Sequence, residues 1–214
     1  MQIKNAFLKT QLLPLRPLDE SGSQWLKDIE EQTRKENLES LVFSISNQGK
    51  QIDFISAVMT LSPFLREALI ANPSYLTPLL HVDIETRLSE IIDDIVLIDK
   101  SESTHETALM AALRCKKREA HVLIALADLS GVFTYEISCG WLTRLGEAAL
   151  GVALRFLLRE AHDHGKINFS NREDPEKDCG LIILGMGKLG AGELNYSSDI
   201  DLIVFIDRDI ASYW

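Results

Sequence analysis

Residues 181–207 read LIILGMGKLGAGELNYSSDIDLIVFID, and the eight residues between Gly190 and Asp199 constrain the fold more than any other stretch of the chain. An apolar run leads into G-x-G-x-x-G, formed by Gly185, Gly187 and Gly190, and a D-x-D follows at Asp199 and Asp201. A dinucleotide-binding unit needs the third glycine to open a crossover helix, then a parallel strand with its ribose-binding acid about 20 residues on. Such a crossover takes at least about 10–12 residues including its helix. The segment AGELNYSS is too short, so the strand expected from Asp199 arrives too soon and the glycine series is not a dinucleotide site. A Walker-type phosphate loop fails as well. Lys188 is followed by Leu189 where Ser or Thr is required, and the first glycine is misplaced.

The aspartates are more informative. DIDLIVFID alternates and is rich in β-branched and aromatic residues, so it is expected to form a strand, with LIIL forming another before it. Residues two apart in a strand share a face, which places the Asp199 and Asp201 carboxylates side by side and Ile200 on the other face. Such a pair can hold two Mg²⁺ ions about 3.5–4 Å apart, which activate an attacking oxygen and stabilise a leaving phosphate oxygen. Glycines at a strand end let backbone N–H groups approach phosphates, and Lys188 adds a positive charge. Strand, glycine-rich loop, short connection and D-x-D strand follow the order that nucleotidyl transfer requires. Acids at a strand edge can also serve solubility alone. Their equal parity beside a glycine loop favours the metal-binding reading.

Upstream, the first ~165 residues carry helical patterns. SQWLKDIEEQTRKENLESLVFSI spaces Trp25, Ile29, Leu38 and Leu41 among charges. IDFISAVMTLSPFLREALIANPSYLTPLL contains two helix restarts, Ser62-Pro63 and Asn72-Pro73, each a capping side chain before a proline suited to the first turn. Asp83–Lys100 is expected to be an amphipathic helix with an acidic outer face, Ala108–Leu129 a helix stopped by Ser130-Gly131, and Trp141–His164 a helix closed by Gly165. The polar stretch INFSNREDPEKDCG, residues 167–180, reads as a surface loop. The expected class is therefore α+β, with a helical region at 1–166 and a domain with strands beginning at 167–214.

With 46% hydrophobic residues in 214, the chain can bury a core. A net charge of -10 argues against broad attraction to nucleic acid or anionic membrane, both polyanions. Neither a signal-peptide core nor about 18 consecutive uncharged apolar residues occurs, so a soluble cytoplasmic protein is expected. Cys115, Cys139 and Cys179 are widely spaced and odd in number, which suits free thiols in a reducing compartment. His162-Asp163-His164 has the look of a metal pair, but at a helix end it reads better as a solvated terminus with imidazoles complementing the dipole. The basic cluster Arg114, Lys116, Lys117 and Arg118 reads as a solvated helix face rather than an anion site.

GMGKLGAGELNYSSDIDLIVF resembles the signature of the glutamine synthetase adenylyltransferases, bifunctional adenylylating and adenylyl-removing enzymes of the DNA polymerase β-like nucleotidyltransferase superfamily. SPFLREALIANPSYLTPLL and LRCKKREAHVLIALADLSG resemble the family's helical segments, so the resemblance runs from about Ser62 to Asp207. It implies that Gly185, Gly187 and Lys188 lie in a nucleotide-phosphate loop, with Ser198 beside it, and that Asp199 and Asp201 bind Mg²⁺. It implies addition of AMP from ATP to a tyrosine of glutamine synthetase, and its removal by orthophosphate to give ADP, in control of nitrogen assimilation. A PII-type nitrogen signal protein is a further implied partner, and no nucleic acid or membrane is.

The superfamily completes its metal site with a third carboxylate on a later strand. Asp207 and Asp209 are the acids remaining before Trp214, and Asp207 would lie roughly 20 Å along an extended strand from Asp201. The expectation is an N-terminal fragment bearing the start of the adenylyl-removing domain, inactive by itself. Two alternatives remain: a nucleotidyltransferase of the same superfamily with another substrate, and a non-catalytic helical interaction module.

Overall fold

The computed structural model describes residues 20–36, 49–98, 105–169, 171–177 and 179–207. Leu38 and Leu41 of the first helical pattern, Lys100 and Asp209 lie outside the described residues. The elements in chain order are α1 (Glu20–Lys35), α2 (Gly49–Leu61), α3 (Pro63–Ala71), a 3-10 turn (Pro73–Leu76), α4 (Thr77–His81), α5 (Ile84–Ile98), α6 (Glu106–Leu129), α7 (Tyr135–Asp163), β1 (Leu181–Gly185), α8 (Gly187–Gly190) and β2 (Leu202–Ile206). The class is α+β, as the sequence patterns predict. Contacts gather the chain into two compact units, one of residues 1–88 and 118–134, the other of residues 89–117 and 135–214.

In the first unit α2 is the central element. Phe54, Ile55, Ser56, Ala57, Val58 and Met59 are six consecutive buried residues, so the helix is enclosed on all sides rather than along one stripe. α1 and α3 pack on it. The restart at Ser62 forms as expected: its hydroxyl accepts from the Leu65 N–H at 3.3 Å, with Pro63 in the first turn. Asn72 also precedes a proline-led turn, but its side chain makes no capping bond. The Arg66 guanidinium lies 4.5 Å from the Trp25 ring centroid, joining α3 to α1. Arg87 pairs with the nearly buried Glu119 at 2.7 Å.

Helix ends in the second half follow the glycines. Gly131 and Gly165 take φ of 73° and 68°, and the residues after them donate back to Ala127 and Ala161. Each is the left-handed close of a helix, a conformation open to glycine at no steric cost. α7 begins at Tyr135, six residues before the expected Trp141, because its first turn is mostly exposed and lacks a strong apolar pattern. The basic cluster is partly engaged, with Lys116 2.6 Å from Asp94, while Arg114, Lys117 and Arg118 are exposed.

β1 and β2 form an antiparallel ribbon in the register Leu181↔Ile206, Ile183↔Val204 and Gly185↔Leu202. This pairing accords with the short connection, which had excluded a parallel crossover. Ile182, Leu184, Ile203 and Phe205 share one face of the ribbon and are all exposed. No single described helix is long and apolar enough to cross a membrane.

Candidate functional site

The ribbon brings its glycine-bearing end and its aspartate-bearing end together. Beyond the last ladder pair, Gly185↔Leu202, the Met186 N–H donates to the Asp201 carbonyl at 2.8 Å. At the opposite end the Asp207 N–H donates to the Gly180 carbonyl at 2.7 Å, so Asp207 is at the far end of the ribbon from Asp201. One expectation is corrected here. The strand begins at Leu202, so Asp199 and Asp201 precede it and do not share a strand face. Asp201 is held in register by its carbonyl, and Asp199 lies in the loop before it. The ladder stops there because the chain opposite turns into α8.

Three glycines make that turn possible in different ways. Gly187 has φ of 53°, and a Cβ there would lie 3.2 Å from Asp201 Oδ2, so the carboxylate rests against bare backbone. A Cβ at Gly190 would come closer to the Gly185 carbonyl oxygen than real Cβ atoms do, which makes Gly190 the residue that lets α8 close on the end of β1. A Cβ at Gly185 would meet Leu189 at 3.0 Å. Gly190 therefore serves packing, and Gly187 is the glycine beside the acid.

The connection folds back on α7. The Leu194 N–H donates to the buried Thr143 Oγ1 at 3.2 Å, and Leu189 and Leu194 are both buried. A tight turn follows: the Ser198 hydroxyl donates to Asn195 Oδ1 at 2.8 Å and accepts from the Asn195 N–H at 3.1 Å. Ser198 thus closes the turn that delivers Asp199. Thr143, Gly146 and Asn195 were not singled out from the sequence. A glycine inside a strongly apolar helix was the available signal for Gly146.

Lys188, Asp199 and Asp201 are exposed, and among the described residues none of them forms an ion pair. Two free carboxylates are hard oxygen donors of the kind Mg²⁺ takes, and the missing Cβ of Gly187 leaves room at Asp201, so these residues fit the ion. Among the described residues no group of three or more His, Cys, Asp or Glu side chains is placed to hold a metal.

The end of α7 is engaged in structure. Asp163 accepts from both Arg172 Nη atoms, and that guanidinium holds its carboxyl down at about 2. The His162 ring lies 4.4 Å from that of Phe169, and His164 Nδ1 is 2.7 Å from the Glu160 carbonyl oxygen. Arg155 reaches Glu176 at 2.9 Å, and Arg159 donates to the Arg172 carbonyl at 3.0 Å. These contacts strap the loop before β1 onto the helix.

The sequence model of the glutamate-ammonia ligase adenylyltransferase family matches residues 52–212, about three-quarters of the chain, including every residue of the ribbon and its turn. The chain belongs to that family. It is 89% identical over 206 residues to the bifunctional glutamine synthetase adenylyltransferase/adenylyl-removing enzyme of Bartonella henselae, a match covering 96% of this chain and 21% of the relative. The counterpart in Bartonella quintana is 86% identical over 206 residues, with the same coverage. That of Brucella suis is 48% identical over 212 residues, covering 97% of this chain and 22% of the relative. The adenylyltransferase-family chain thus spans about a fifth of the length of these curated relatives.

The glycine geometry carries its own test. Gly190→Ala forces a Cβ against the Gly185 carbonyl and is expected to destabilise this unit by about 1–3 kcal/mol in urea denaturation, the range for overpacking. Gly140→Ala adds a Cβ with nothing within 4 Å and should leave stability unchanged or raise it. A Gly190→Ala protein as stable as the parent would contradict the packing role.

Proposed function

We propose that the turn at Gly187 and the D-x-D form part of an adenylyl-transfer site acting on glutamine synthetase, and that this copy serves the adenylyl-removing activity. The observation carrying the reading is the Asp201 carboxylate resting against Gly187 at one end of the ribbon, with Lys188 next in the chain. The family match and the names of the relatives, which pair adenylyltransferase with adenylyl-removing activity, support it. In this reading residues 1–166 are a helical region, and a nucleotidyltransferase domain starts at 167.

Asp199 and Asp201 would hold Mg²⁺, with two ions expected, and a third carboxylate would come from a later strand. The ion, when bound, supplies positive charge to the phosphate oxygens of the group in transfer. The chain's own residues bind and orient. Lys188, without an ion pair among the described residues, offers its ammonium to a phosphate oxygen. Gly187, with φ of 53° and no Cβ, lets a phosphate approach the backbone of the turn closely. Ser198 fixes the turn before Asp199 and would lie beside the phosphate loop.

In the adenylylating direction, the tyrosine hydroxyl gives up its proton to solvent, its oxygen bonds to the α-phosphorus of ATP, and the bond from that phosphorus to the departing pyrophosphate breaks. In removal, an oxygen of orthophosphate bonds to the phosphorus of the tyrosyl-linked AMP, the tyrosine oxygen leaves and takes a proton, and ADP is released. The proposed setting is cytoplasmic control of nitrogen assimilation with a PII-type signal protein as a further partner. The net charge of -10 accords with a site that engages neither nucleic acid nor membrane.

In a full-length protein carrying this sequence, Asp199→Asn and Asp201→Asn should each abolish phosphate-dependent ADP release from adenylylated glutamine synthetase while circular dichroism stays unchanged. Turnover near the parent rate would sink the assignment. Lys188→Ala should weaken dependence on phosphate or nucleotide by one charge-assisted contact, about 1.5–3 kcal/mol, and leave metal dependence in place. The isolated 214-residue chain should form no ADP under the same assay, because the described residues supply too few carboxylates for a two-metal site. Turnover comparable to that of the full-length protein would show the site complete within this chain.

A further inference from the structure

We infer that Thr143 and Gly146 of α7 are positioning residues for this site: together they form a seat that fixes the glycine turn and the D-x-D relative to one another. The inference rests on the adenylyl-transfer reading of the site. A glycine inside a helix costs about 1 kcal/mol relative to alanine, so one that is kept there calls for a contact that explains it. Gly140, on the same helix, has none, since a Cβ there would meet nothing within 4 Å. At Gly146 a Cβ would lie 3.3 Å from Leu194 Cδ2, 3.8 Å from Ile200 Cδ1 and 3.9 Å from Leu189 Cδ1.

These three side chains come from the three parts of the site. Leu189 follows Lys188 in α8, Leu194 sits midway along the connection, and Ile200 stands between Asp199 and Asp201. Each apolar residue that meets the seat is a chain neighbour of a charged residue turned to solvent. Leu189 and Leu194 are buried and Ile200 meets the seat through its Cδ1 while 44% exposed, whereas Lys188, Asp199 and Asp201 are exposed. One turn earlier on the same helix face, Thr143 Oγ1 takes the Leu194 N–H, a backbone donor that would otherwise be buried without a partner. Shifting Ile200 on its seat shifts both carboxylates, and shifting Leu189 shifts Lys188. None of the seat residues touches the reacting groups, so their effect is on geometry.

The test uses the full-length protein and three readouts: hydrogen exchange of residues 187–201, the affinity of the Mn²⁺ sites that are lost in Asp199→Asn/Asp201→Asn, measured by electron paramagnetic resonance, and turnover. Thr143→Val deletes the acceptor with little change of shape. Gly146→Leu fills the seat with a good helix former. Both should speed exchange at 187–201 but not at 51–71, weaken Mn²⁺ binding at those sites, and lower kcat about tenfold, within the range that misplaced reacting groups cost. Thr143→Ser should restore protection, Mn²⁺ affinity and turnover, and Gly140→Ala should leave all three unchanged.

If Gly146→Leu raises exchange throughout the protein, the Thr143 pair decides. Faster exchange at 187–201 in Thr143→Val with parental Mn²⁺ affinity and kcat would overturn the positioning role, as would unchanged exchange there. An Asp199→Asn/Asp201→Asn protein that keeps parental turnover would instead overturn the adenylyl-transfer reading. The two failures are distinguishable because they are read from different variants.

Discussion

Gly187 and Asp201 meet because the chain between them is tied at its base by an antiparallel ladder. The Met186 N–H bonded to the Asp201 carbonyl is the last rung, and the register from Leu181↔Ile206 to Gly185↔Leu202 fixes which residues face each other beyond it. A slip of one residue would turn every side chain of the slipped strand to the other face and take Asp201 away from Gly187. With the rung in place, residues 187–200 form a closed excursion whose ends cannot separate. What remains free is the path of that excursion, and α7 settles it. The hydrogen bond from Leu194 to Thr143 and the bare backbone at Gly146 hold it from outside the ribbon. The ladder supplies register and the helix supplies depth.

Charge follows the same division. The residues that reach α7 are Leu189, Leu194 and Ile200, and their charged chain neighbours Lys188, Asp199 and Asp201 are left exposed and without ion pairs among the described residues. Elsewhere in the second unit some charges are matched, as in Asp163 with Arg172, Glu176 with Arg155 and Asp94 with Lys116. Exposed to water, these acids and the lysine are solvated and cost the fold little by themselves, so they stay open to a ligand that carries both signs of charge. A divalent cation with a phosphate group meets both requirements at once.

Much of this was legible in residues 181–207. The spacing from Gly190 to Asp199 excluded a parallel crossover, and the ribbon is antiparallel. The capping serine at 62 and the closing glycines at 131 and 165 were readable because their chemistry is local. The start of β2 was not. Alternation in DIDLIVFID suggested a strand from Asp199, but pairing needs a partner, and β1 has already turned into α8 opposite Asp199. The roles of Thr143 and Gly146 were hidden for a related reason, although a glycine inside a helix was a visible signal at 146: they depend on contacts with residues some 50 positions later in the chain. The role of Ser198 was likewise hidden in a four-residue turn with Asn195.

The central claim is that a divalent metal binds between the glycine turn and the D-x-D. Iron-mediated affinity cleavage reads this directly in the full-length protein, because Fe²⁺ in place of Mg²⁺ generates radicals that cut the backbone near the bound ion. The account predicts cuts within residues 185–202 that compete with Mg²⁺ and vanish in Asp199→Asn/Asp201→Asn. Cuts in this chain confined to residues 162–164, or none within 185–202, would contradict it.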